Sequence, residues 1–255
     1  MDAFRGVVGT LGALVATGDD DQMREINIGI EGVSLKVDSE TFWLASEVPL
    51  HVISSSVVGG DLEETSHILS VRVPADPEQR EYALRRPRAF VRDRAKVLGI
   101  NGPVVGLITG LDHDRLQVAT YAEGEFKVAA LATVGLSHLS APGRHQVVYT
   151  GEAEVGTINQ VILIDARLAP TAAVRTATLA TEAKTLALFE AGIKTEGGSP
   201  ATGTSMDTIV VASTGRGLFS RYAGTATLVG HLIGQAVFDT VAEGIRLEQE
   251  ALLNP

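Results

Sequence analysis

The segment Ile158-Asn-Gln-Val-Ile-Leu-Ile-Asp165 gives the strongest strand signal in the chain. Its apolar residues run almost without interruption, and a continuous apolar run predicts a strand that is covered on both faces of its sheet. A helix is predicted at residues 170–191, because Pro170 fits the first turn of a helix and Gly192 fits the position that ends one. Residues 158–191 are therefore predicted to form a buried strand followed by a long helix.

Further strands precede and follow this pair. Glu31-Gly32 separates two segments of period two and predicts a hairpin. The charged segment 77–98 predicts an exposed helix that is broken near Pro87. The other predicted elements are strands at 26–30, 33–37, 42–45, 51–58, 69–73, 104–109, 117–121, 127–134 and 208–213, and a final helix at 225–253. With no linker or repeat between them, this order predicts one α+β domain over residues 1–255, a layered sandwich of a mixed β-sheet and helices.

The composition indicates a folded globular protein and excludes several functions. Hydrophobic residues are 45% and charged residues 20% of the 255 residues, which excludes a mainly disordered chain. The net charge of −10 argues against general nucleic-acid binding and against docking on an anionic membrane, since both need positive charge. The sequence has no cysteine, so it has no disulfide, thiolate metal site or thiol nucleophile, and a cytoplasmic location is expected.

The apolar run at residues 6–16 follows Arg5 and has the length of a signal-peptide core. Its leading segment carries Asp2 as well as Arg5, so it is not net positive, and no Ala-x-Ala cleavage site follows. We therefore expect a buried element of the mature fold here. No run in the sequence reaches the roughly 20 apolar residues that a membrane span requires.

Glycine clusters with small hydroxyl residues at five places near predicted strand ends. Glycine supplies 27 of 255 residues, about 11%, against a typical share of about 7%. Such turns let a ligand approach the backbone and present N–H groups to its oxygens. A shared ligand site and ordinary tight turns are equal alternatives for these clusters. The clusters are Ser54–Gly60, Gly106–Gly110, Thr133–Ser137, Gly156–Asn159 and Thr202–Asp207.

Glu182, Lys184 and Asp207 are the candidate acid–base residues. The first two lie in a predicted helix that is mostly Ala, Leu and Thr, and Asp207 precedes an apolar strand. A carboxylate in an apolar setting can act as a general base. The alternative is a structural ion pair between Lys184 and one of the carboxylates, and spacing alone favours this alternative.

The basic residues and histidines give no specific site. Seven basic residues between positions 80 and 96 could bind an anion, but a solvated helix face with Glu81 and Asp93 as local partners is favoured. Asp112-His113-Asp114 could contact a metal ion, although an exposed turn is favoured. The histidines form no zinc motif, and no nucleophile elbow, phosphate-binding loop or dinucleotide fingerprint is present.

Taken in order, the glycine clusters resemble the adenosylcobinamide amidohydrolase (CbiZ) family, from Ser54 to the final helix. Each motif alone is weak, whereas their order and spacing are fairly specific. The motifs are Gly106-Leu-Ile-Thr-Gly110, Gly156-Thr-Ile-Asn159, Thr181-Glu-Ala-Lys184, Ala201-Thr-Gly-Thr-Ser-Met-Asp207 and Tyr222-Ala-Gly224. Ser70 and His138 depart from the family pattern, which has Asn at both positions. Both departures bear on substrate contacts.

The resemblance implies hydrolysis of the amide that joins the aminopropanol arm to the corrin ring of adenosylcobinamide. The products are adenosylcobyric acid and aminopropanol, which serve corrinoid salvage. The corrinoid is then a substrate and not a cofactor, and metal dependence is left open. Region 157–207 is more distantly similar to DmpA/ArgJ-like amidases, whose Ser or Thr nucleophile is freed by self-cleavage, and we take this as an indication of fold. The final helix can pack internally or between protomers of a homo-oligomer.

Amide hydrolysis needs an activated nucleophile, donors for the oxyanion and an acid for the leaving amine. Without cysteine, the nucleophile is water, Ser or Thr. Glu182 or Asp207 is expected to activate it, with Lys184 orienting the carboxylate or stabilising charge. Backbone N–H groups at 203–204 or 156–157 are the expected oxyanion donors. The expected substrate contacts are Ser55, Ser56, Gly59, Gly60, Thr109, His138, Thr157, Asn159, Thr202, Gly203 and Thr204.

Three other functions are alternatives to this enzyme. A corrinoid-binding protein without catalysis would bind the same ligand and form no product. A self-processing aminopeptidase of the DmpA type would be cut into two fragments, before Thr157 or Thr109. A structural or interaction protein, in which the clusters are only turns, would have no affinity for corrinoids.

Overall fold

The structure is a computed structural model that describes residues 8–13, 23–61, 63–144 and 157–253, with the backbone alone for residues 8–13. Residues 8–13 of the predicted buried run at 6–16 form a strand, whereas their burial, the rest of that run and Gly156 lie outside the described part. The strands are β1 (Val8–Ala13), β2 (Arg24–Ile26), β3 (Val33–Val37), β4 (Thr41–Ser54), β5 (Glu64–Arg72), β6 (Val105–Thr109), β7 (Gln117–Glu123), β8 (Phe126–Val134), β9 (Leu139–Ser140), β10 (Ile158–Ile164), β11 (Arg167–Leu168), β12 (Gly203–Thr204), β13 (Thr208–Ser213) and β14 (Phe219–Ser220). The helices are α1 (Pro77–Arg85), α2 (Pro87–Val97), α3 (Pro170–Glu190) and α4 (Leu228–Leu253).

Within the described part of the chain, ten strands form one mixed sheet. β10 lies between β8, which is antiparallel to it, and β13, which is parallel. Every residue of β10 is buried, which confirms the prediction of a strand covered on both faces. α3 follows as predicted, with Pro170 in its first turn and Gly192 beyond its end at a φ of 69°.

The two faces of the sheet have separate hydrophobic cores. On one face, α3 and α4 pack over the side chains of Ile158, Ile162 and Ile164. On the other face, Val161 and Leu163 of the same strand meet residues of β3, β4, β5 and β6 from the far side of the sheet. The sheet therefore curls around this second core. The outcome is an α+β fold in layers, as the element order predicts.

β4 corrects the sequence analysis, which predicts two strands at 42–45 and 51–58. It is one strand of 14 residues, and its register against β5 shifts between Ala45 and Leu50. Pro49 lies within this interval and has no N–H to donate to a neighbouring strand. The first part of β4 pairs with β3 and its last part pairs with β13. β4 therefore joins β3 and β5 to β13 and the strands beyond it.

α1 and α2 confirm the break near Pro87. β2 and β3 form the predicted hairpin, but β2 is Arg24–Ile26, so most of the strand predicted at 26–30 belongs to the connection between the two strands. Ion pairs of Arg85 with Glu81, at 2.9 Å, and of Lys96 with Asp93, at 3.2 Å, confirm the local partners of the basic segment.

Candidate active site

The predicted site residues collect at one edge of the sheet. β10 and β13 are parallel, with Asn159 opposite Thr208, so the residues that precede them, Thr157 and Asp207, lie at the same edge. β8 and β4 run antiparallel to these strands, so their last residues reach this edge as well. We call this end of the sheet, marked by Thr157 and Asp207, the amino edge.

The Asp207 carboxylate connects three segments of the chain. Its Oδ1 accepts hydrogen bonds from the backbone N–H groups of Thr204 and Ile158, each at 3.1 Å, and from the Thr204 hydroxyl. Its Oδ2 accepts from the Lys184 ammonium. The carboxylate therefore fixes the start of β10, the turn before β13 and the side chain of Lys184 relative to one another.

Lys184 reaches the amino edge from the buried face of α3. Its side chain is 9% exposed and that of Asp207 is 18% exposed. Gly203 lies against the pair, since a Cβ at this position would come within 2.2 Å of Asp207 Oδ2 and 2.7 Å of Lys184 Nζ. An ammonium group carries three N–H donors, and among the described residues one of them is used, by Asp207. The other two donors have no hydrogen-bond partner within the described part of the chain.

Thr157 lies beside this pair at the start of β10. Its hydroxyl donates to the carbonyl of Met206 at 2.7 Å and lies 3.5 Å from Oδ1 of Asn159. Asn159 is buried, and its Nδ2 donates to the carbonyl of Ile108 at 2.9 Å. The Asn159 amide therefore joins β10 to β6. Its contact with substrate amides stays a prediction, and its Nδ2 donor is already used within the protein.

The predicted residues on either side of Gly203–Thr204 (β12) are held by backbone hydrogen bonds. β12 pairs with β9 in antiparallel fashion, and the N–H of Ser205 donates to the carbonyl of His138 at 3.2 Å. The N–H of Thr202 donates to the carbonyl of Ser140 at 2.9 Å. The φ of His138 is 53°, a left-handed conformation in which Asn and His are enriched. His can therefore replace the Asn of the family pattern without a change of backbone.

The segment at residues 54–60 lies against the start of β13. The N–H of Ser55 donates to the carbonyl of Ile209, and the Ser55 hydroxyl accepts from the N–H of Ile209, both at 3.0 Å. Ser56 is buried, and its hydroxyl donates to a backbone carbonyl of its own segment at 2.8 Å. Gly59 has a φ of 67°, and a Cβ at Gly60 would lie 2.7 Å from the carbonyl oxygen of Ser56. Ser55 is thus the exposed hydroxyl that this segment presents near the amino edge.

Thr109 ends β6 next to the carbonyl that holds Asn159. It is buried, and its hydroxyl accepts a hydrogen bond from the N–H of Leu111 at 3.1 Å. Thr109 follows Ile108, whose carbonyl accepts from Asn159, and the Thr109 hydroxyl already accepts a hydrogen bond from its own loop. The predicted contact of Thr109 with substrate amides stays a prediction.

Glu182 lies apart from the Lys184–Asp207 pair. It is two residues before Lys184 on α3, so its side chain leaves the helix in a different direction. It is exposed and forms an ion pair with Arg175 at 2.9 Å. Asp207 is therefore the one of the two predicted carboxylates that lies beside Thr157.

Some groups at the amino edge carry no clear sequence signal. The N–H of Ile158 and the carbonyl of Met206 are backbone groups, so residue type does not mark them. Thr133 pairs with Asn159 across β8 and β10, and its buried hydroxyl has no hydrogen-bond partner in the described part of the chain. In the sequence, the only sign that Thr133 belongs to the site is its place in the cluster Thr133–Ser137.

His113 corrects the prediction of an exposed turn at 112–114. A turn is present at His113–Arg115, but the imidazole is fully buried against Phe42. Its Nε2 lies 2.9 Å from the hydroxyl of Ser70, which is also buried. Burial lowers the pKa of His113 from 6.5 to about 3. The Ser70 departure from the family pattern therefore lies in the protein core.

Two kinds of feature are absent from the residues that the structure describes. No group of three or more His, Cys, Asp or Glu side chains is arranged to hold a metal ion. No helix in these residues is long and apolar enough to cross a membrane.

Comparison with known proteins places the chain among hydrolases that act on amide bonds. The sequence model of the adenosylcobinamide amidohydrolase (CbiZ) family matches residues 28–252, and the chain belongs to this family. An adenosylcobinamide amidohydrolase of Methanosarcina mazei is 30% identical over 205 residues, which cover 77% of this chain and 90% of that protein. An uncharacterised protein of Methanocaldococcus jannaschii is 32% identical over 167 residues, 58% of this chain and 65% of that protein.

Two solved structures are similar at low sequence identity. A protein from Pyrococcus horikoshii OT3 has a TM-score of 0.41 at 14% identity, over 96% of this chain and 84% of that chain. The L-aminopeptidase D-Ala-esterase/amidase of Ochrobactrum anthropi has a TM-score of 0.42 at 12% identity, over 95% of this chain and 84% of that chain.

Proposed function

We propose that the chain hydrolyses the amide between the aminopropanol arm and the corrin ring of adenosylcobinamide. The products are adenosylcobyric acid and aminopropanol, and the corrinoid acid returns to cobalamin biosynthesis by salvage. Membership of the family and the Methanosarcina mazei relative support this substrate. The corrinoid is the substrate, and the proposal uses no resident cofactor.

The observation that carries the proposal is the Lys184–Asp207 pair beside the Thr157 hydroxyl. The carbonyl of Met206 accepts from Thr157, and the next residue along, Asp207, holds the N–H of Ile158. One turn therefore fixes a hydroxyl, a carboxylate and a cation side by side. These are the groups that amide hydrolysis needs for attack, proton transfer and oxyanion stabilisation.

Thr157 is the proposed nucleophile. Its hydroxyl donates to Met206, which leaves the oxygen lone pairs free for attack on the substrate carbonyl. The Asp207 carboxylate takes up the hydroxyl proton and passes it to the leaving amine, while Lys184 stays protonated as an ammonium. Aminopropanol departs, and an ester remains on Thr157. Water then hydrolyses the ester and releases adenosylcobyric acid.

Lys184 is the proposed donor to the oxyanion. The N–H of Thr204, one of the donors expected from the sequence, is bonded to Asp207 Oδ1. The other expected donor pair includes Gly156, which lies outside the described residues. The Lys184 ammonium has two N–H donors that no described residue uses, and it carries the positive charge that stabilises the substrate oxygen.

The direct test is incubation of the purified chain with adenosylcobinamide, followed by chromatography with mass detection. We expect adenosylcobyric acid to appear at the same rate with and without a chelator. An unchanged substrate peak contradicts the proposed reaction. Loss of activity with the chelator contradicts the mechanism without a metal ion.

Variants test the roles of the three residues. Thr157→Val, Lys184→Met and Asp207→Asn are each expected to lower kcat by about 100-fold or more, whereas Thr157→Ser retains activity. The matched control is Glu125→Gln, in the exposed turn between β7 and β8 at the opposite edge of the sheet, and it keeps the wild-type kcat. Turnover by Thr157→Val at the wild-type rate identifies water as the nucleophile and overturns the role of Thr157.

A further inference from the structure

The outward face of α3 exposes large apolar side chains beside the amino edge. Leu186 is 49% exposed and Phe189 is 63% exposed, and their spacing of three residues places them on one face of the helix. They line an open groove of about 420 Å³ together with Thr181, Glu182 and Thr185. Exposed apolar side chains next to a reaction centre can contact an apolar part of the substrate.

We propose that this groove binds the corrin macrocycle of the substrate. The inference rests on the proposed function and adds to it the surface that holds the body of the substrate while its amide is hydrolysed. Nothing in the proposed reaction itself requires Leu186 or Phe189. They are binding residues, separate from Thr157, Lys184 and Asp207.

The groove is continuous with the reaction centre. The Thr185 hydroxyl donates to the carbonyl of Thr202 at 3.2 Å, and Thr202 precedes the glycine that packs against the Lys184–Asp207 pair. One end of the groove therefore begins next to the turn that holds Asp207. From Thr181 to Phe189 the helix rises about 12 Å, enough for a ligand much larger than an amino acid side chain.

The chemistry of the lining fits an amphipathic ring. Ligand sites combine a mainly apolar surface with a few polar groups, and here Leu186 and Phe189 supply the apolar surface. The hydroxyls of Thr181 and Thr185 donate to backbone carbonyls, so each can still accept from an amide N–H at the rim of a corrin. The ring of adenosylcobinamide carries a positive charge at its cobalt(III) centre. The carboxylate of Glu182, which is paired with Arg175, lies in the lining, and the chain has a net charge of −10.

The test compares Leu186→Ala, Phe189→Ala and the double variant with the wild-type chain. The dissociation constant for adenosylcobyric acid is measured by titration calorimetry, and kcat and KM are measured with adenosylcobinamide. We expect the double variant to raise both the dissociation constant and KM by about tenfold or more, with kcat changed less than about twofold. Val174→Ala is the matched control, because Val174 is 58% exposed on the same helix but outside the groove, and it leaves every constant unchanged.

The outcomes separate the groove from the reaction. If the wild type turns over substrate and the double variant has the wild-type dissociation constant and KM, the proposal that the groove binds the corrin is wrong, and the proposed function stands. Corrinoid binding that the double variant weakens, without any product from the wild type, overturns the reaction and supports the groove. A wild-type oligomer that dissociates in the double variant, with an unchanged dissociation constant for corrinoid, identifies a second copy of the chain as the occupant and overturns the proposal.

Discussion

Lys184 of α3 and Asp207 of the turn before β13 are 23 residues apart in the sequence and form an ion pair beneath Gly203. Both side chains are largely withdrawn from water, so removal of either partner leaves a charge with less compensation. The pair therefore contributes to stability as well as to the proposed chemistry.

A double-mutant cycle measures this coupling. Lys184→Met and Asp207→Asn are each expected to lower the free energy of unfolding by about 3 kcal/mol. The double variant is expected to lose at least about 1 kcal/mol less than the sum of the single losses, because the second change removes an already unpaired group. Urea unfolding of the four chains gives the coupling energy. Strictly additive losses contradict a direct interaction.

Gly203→Ala tests the close approach at the reaction centre. The new methyl group would meet Asp207 Oδ2 at 2.2 Å and Lys184 Nζ at 2.7 Å, so the pair must move. We expect kcat to fall by about tenfold or more, since small displacements of reacting groups have large effects on rate. Gly234→Ala is the control, because a Cβ there meets nothing within 4 Å, and it is expected to raise stability by about 0.5–1 kcal/mol. A Gly203→Ala enzyme with wild-type kcat removes the pair from the chemistry.

His113 predicts how stability depends on pH. Burial holds its pKa at about 3, while the unfolded chain has the ordinary value of 6.5. The unfolded state therefore binds a proton that the folded state does not, and this contribution to stability is complete above pH 6.5 and falls as the pH drops towards 3. Between pH 6 and pH 5, wild-type stability is expected to fall by about 1.2 kcal/mol more than that of His113→Gln. Denaturant unfolding at both pH values measures the difference, and parallel curves contradict the buried neutral imidazole.

Asn159→Asp tests the link between β10 and β6. A carboxylate cannot donate to the carbonyl of Ile108, so a buried acceptor loses its partner and a charge is placed beside it. We expect a loss of about 2–3 kcal/mol in the free energy of unfolding. Asn101→Asp is the matched control, because Asn101 also donates to a backbone carbonyl but is exposed, and the expected loss there is below about 0.5 kcal/mol. Equal losses at the two positions argue against a structural role for the Asn159 amide.

Glu182→Gln decides between the two carboxylates proposed as the base. The exposed pair of Glu182 with Arg175 contributes at most about 1 kcal/mol, so the variant is expected to fold normally. We expect kcat to stay within about twofold of the wild type, since Asp207 and not Glu182 lies beside Thr157. Steady-state kinetics measures it. A fall in kcat of more than about tenfold would return Glu182 to the reaction.

Local patterns in the sequence predict the centre of the fold well. The apolar run of β10 and the proline and glycine at the ends of α3 depend on neighbouring residues, which the sequence displays directly. β4 is different, because Pro49 interrupts the pattern of a strand that continues past it. His113 is also different, since the acidic residues on either side suggest exposure. Asp112 and Asp114 instead form ion pairs with Arg72 and Arg24, and the imidazole between them is buried in the core.

The sequence predicts which residue types form the site, but it does not predict which of these side chains pair with each other. The sequence identifies Lys184 and Asp207 but gives no reason to join them in preference to Glu182. That choice depends on the turn at 203–207 and on the direction in which α3 presents each side chain, and both are set by tertiary packing. The Ile158 N–H and the Met206 carbonyl belong to the backbone, and residue type carries no information about them.

The position of β10 between β8 and β13 has a consequence for synthesis of the chain. β8 precedes β10, so one side of β10 finds its partner as soon as it leaves the ribosome. β13 begins at residue 208, and until it emerges the other side of the most buried strand has no partner. Unpaired apolar strand edges associate readily with other chains. While residues 165–207 are translated, β10 therefore presents an unpaired apolar edge that β13 later covers.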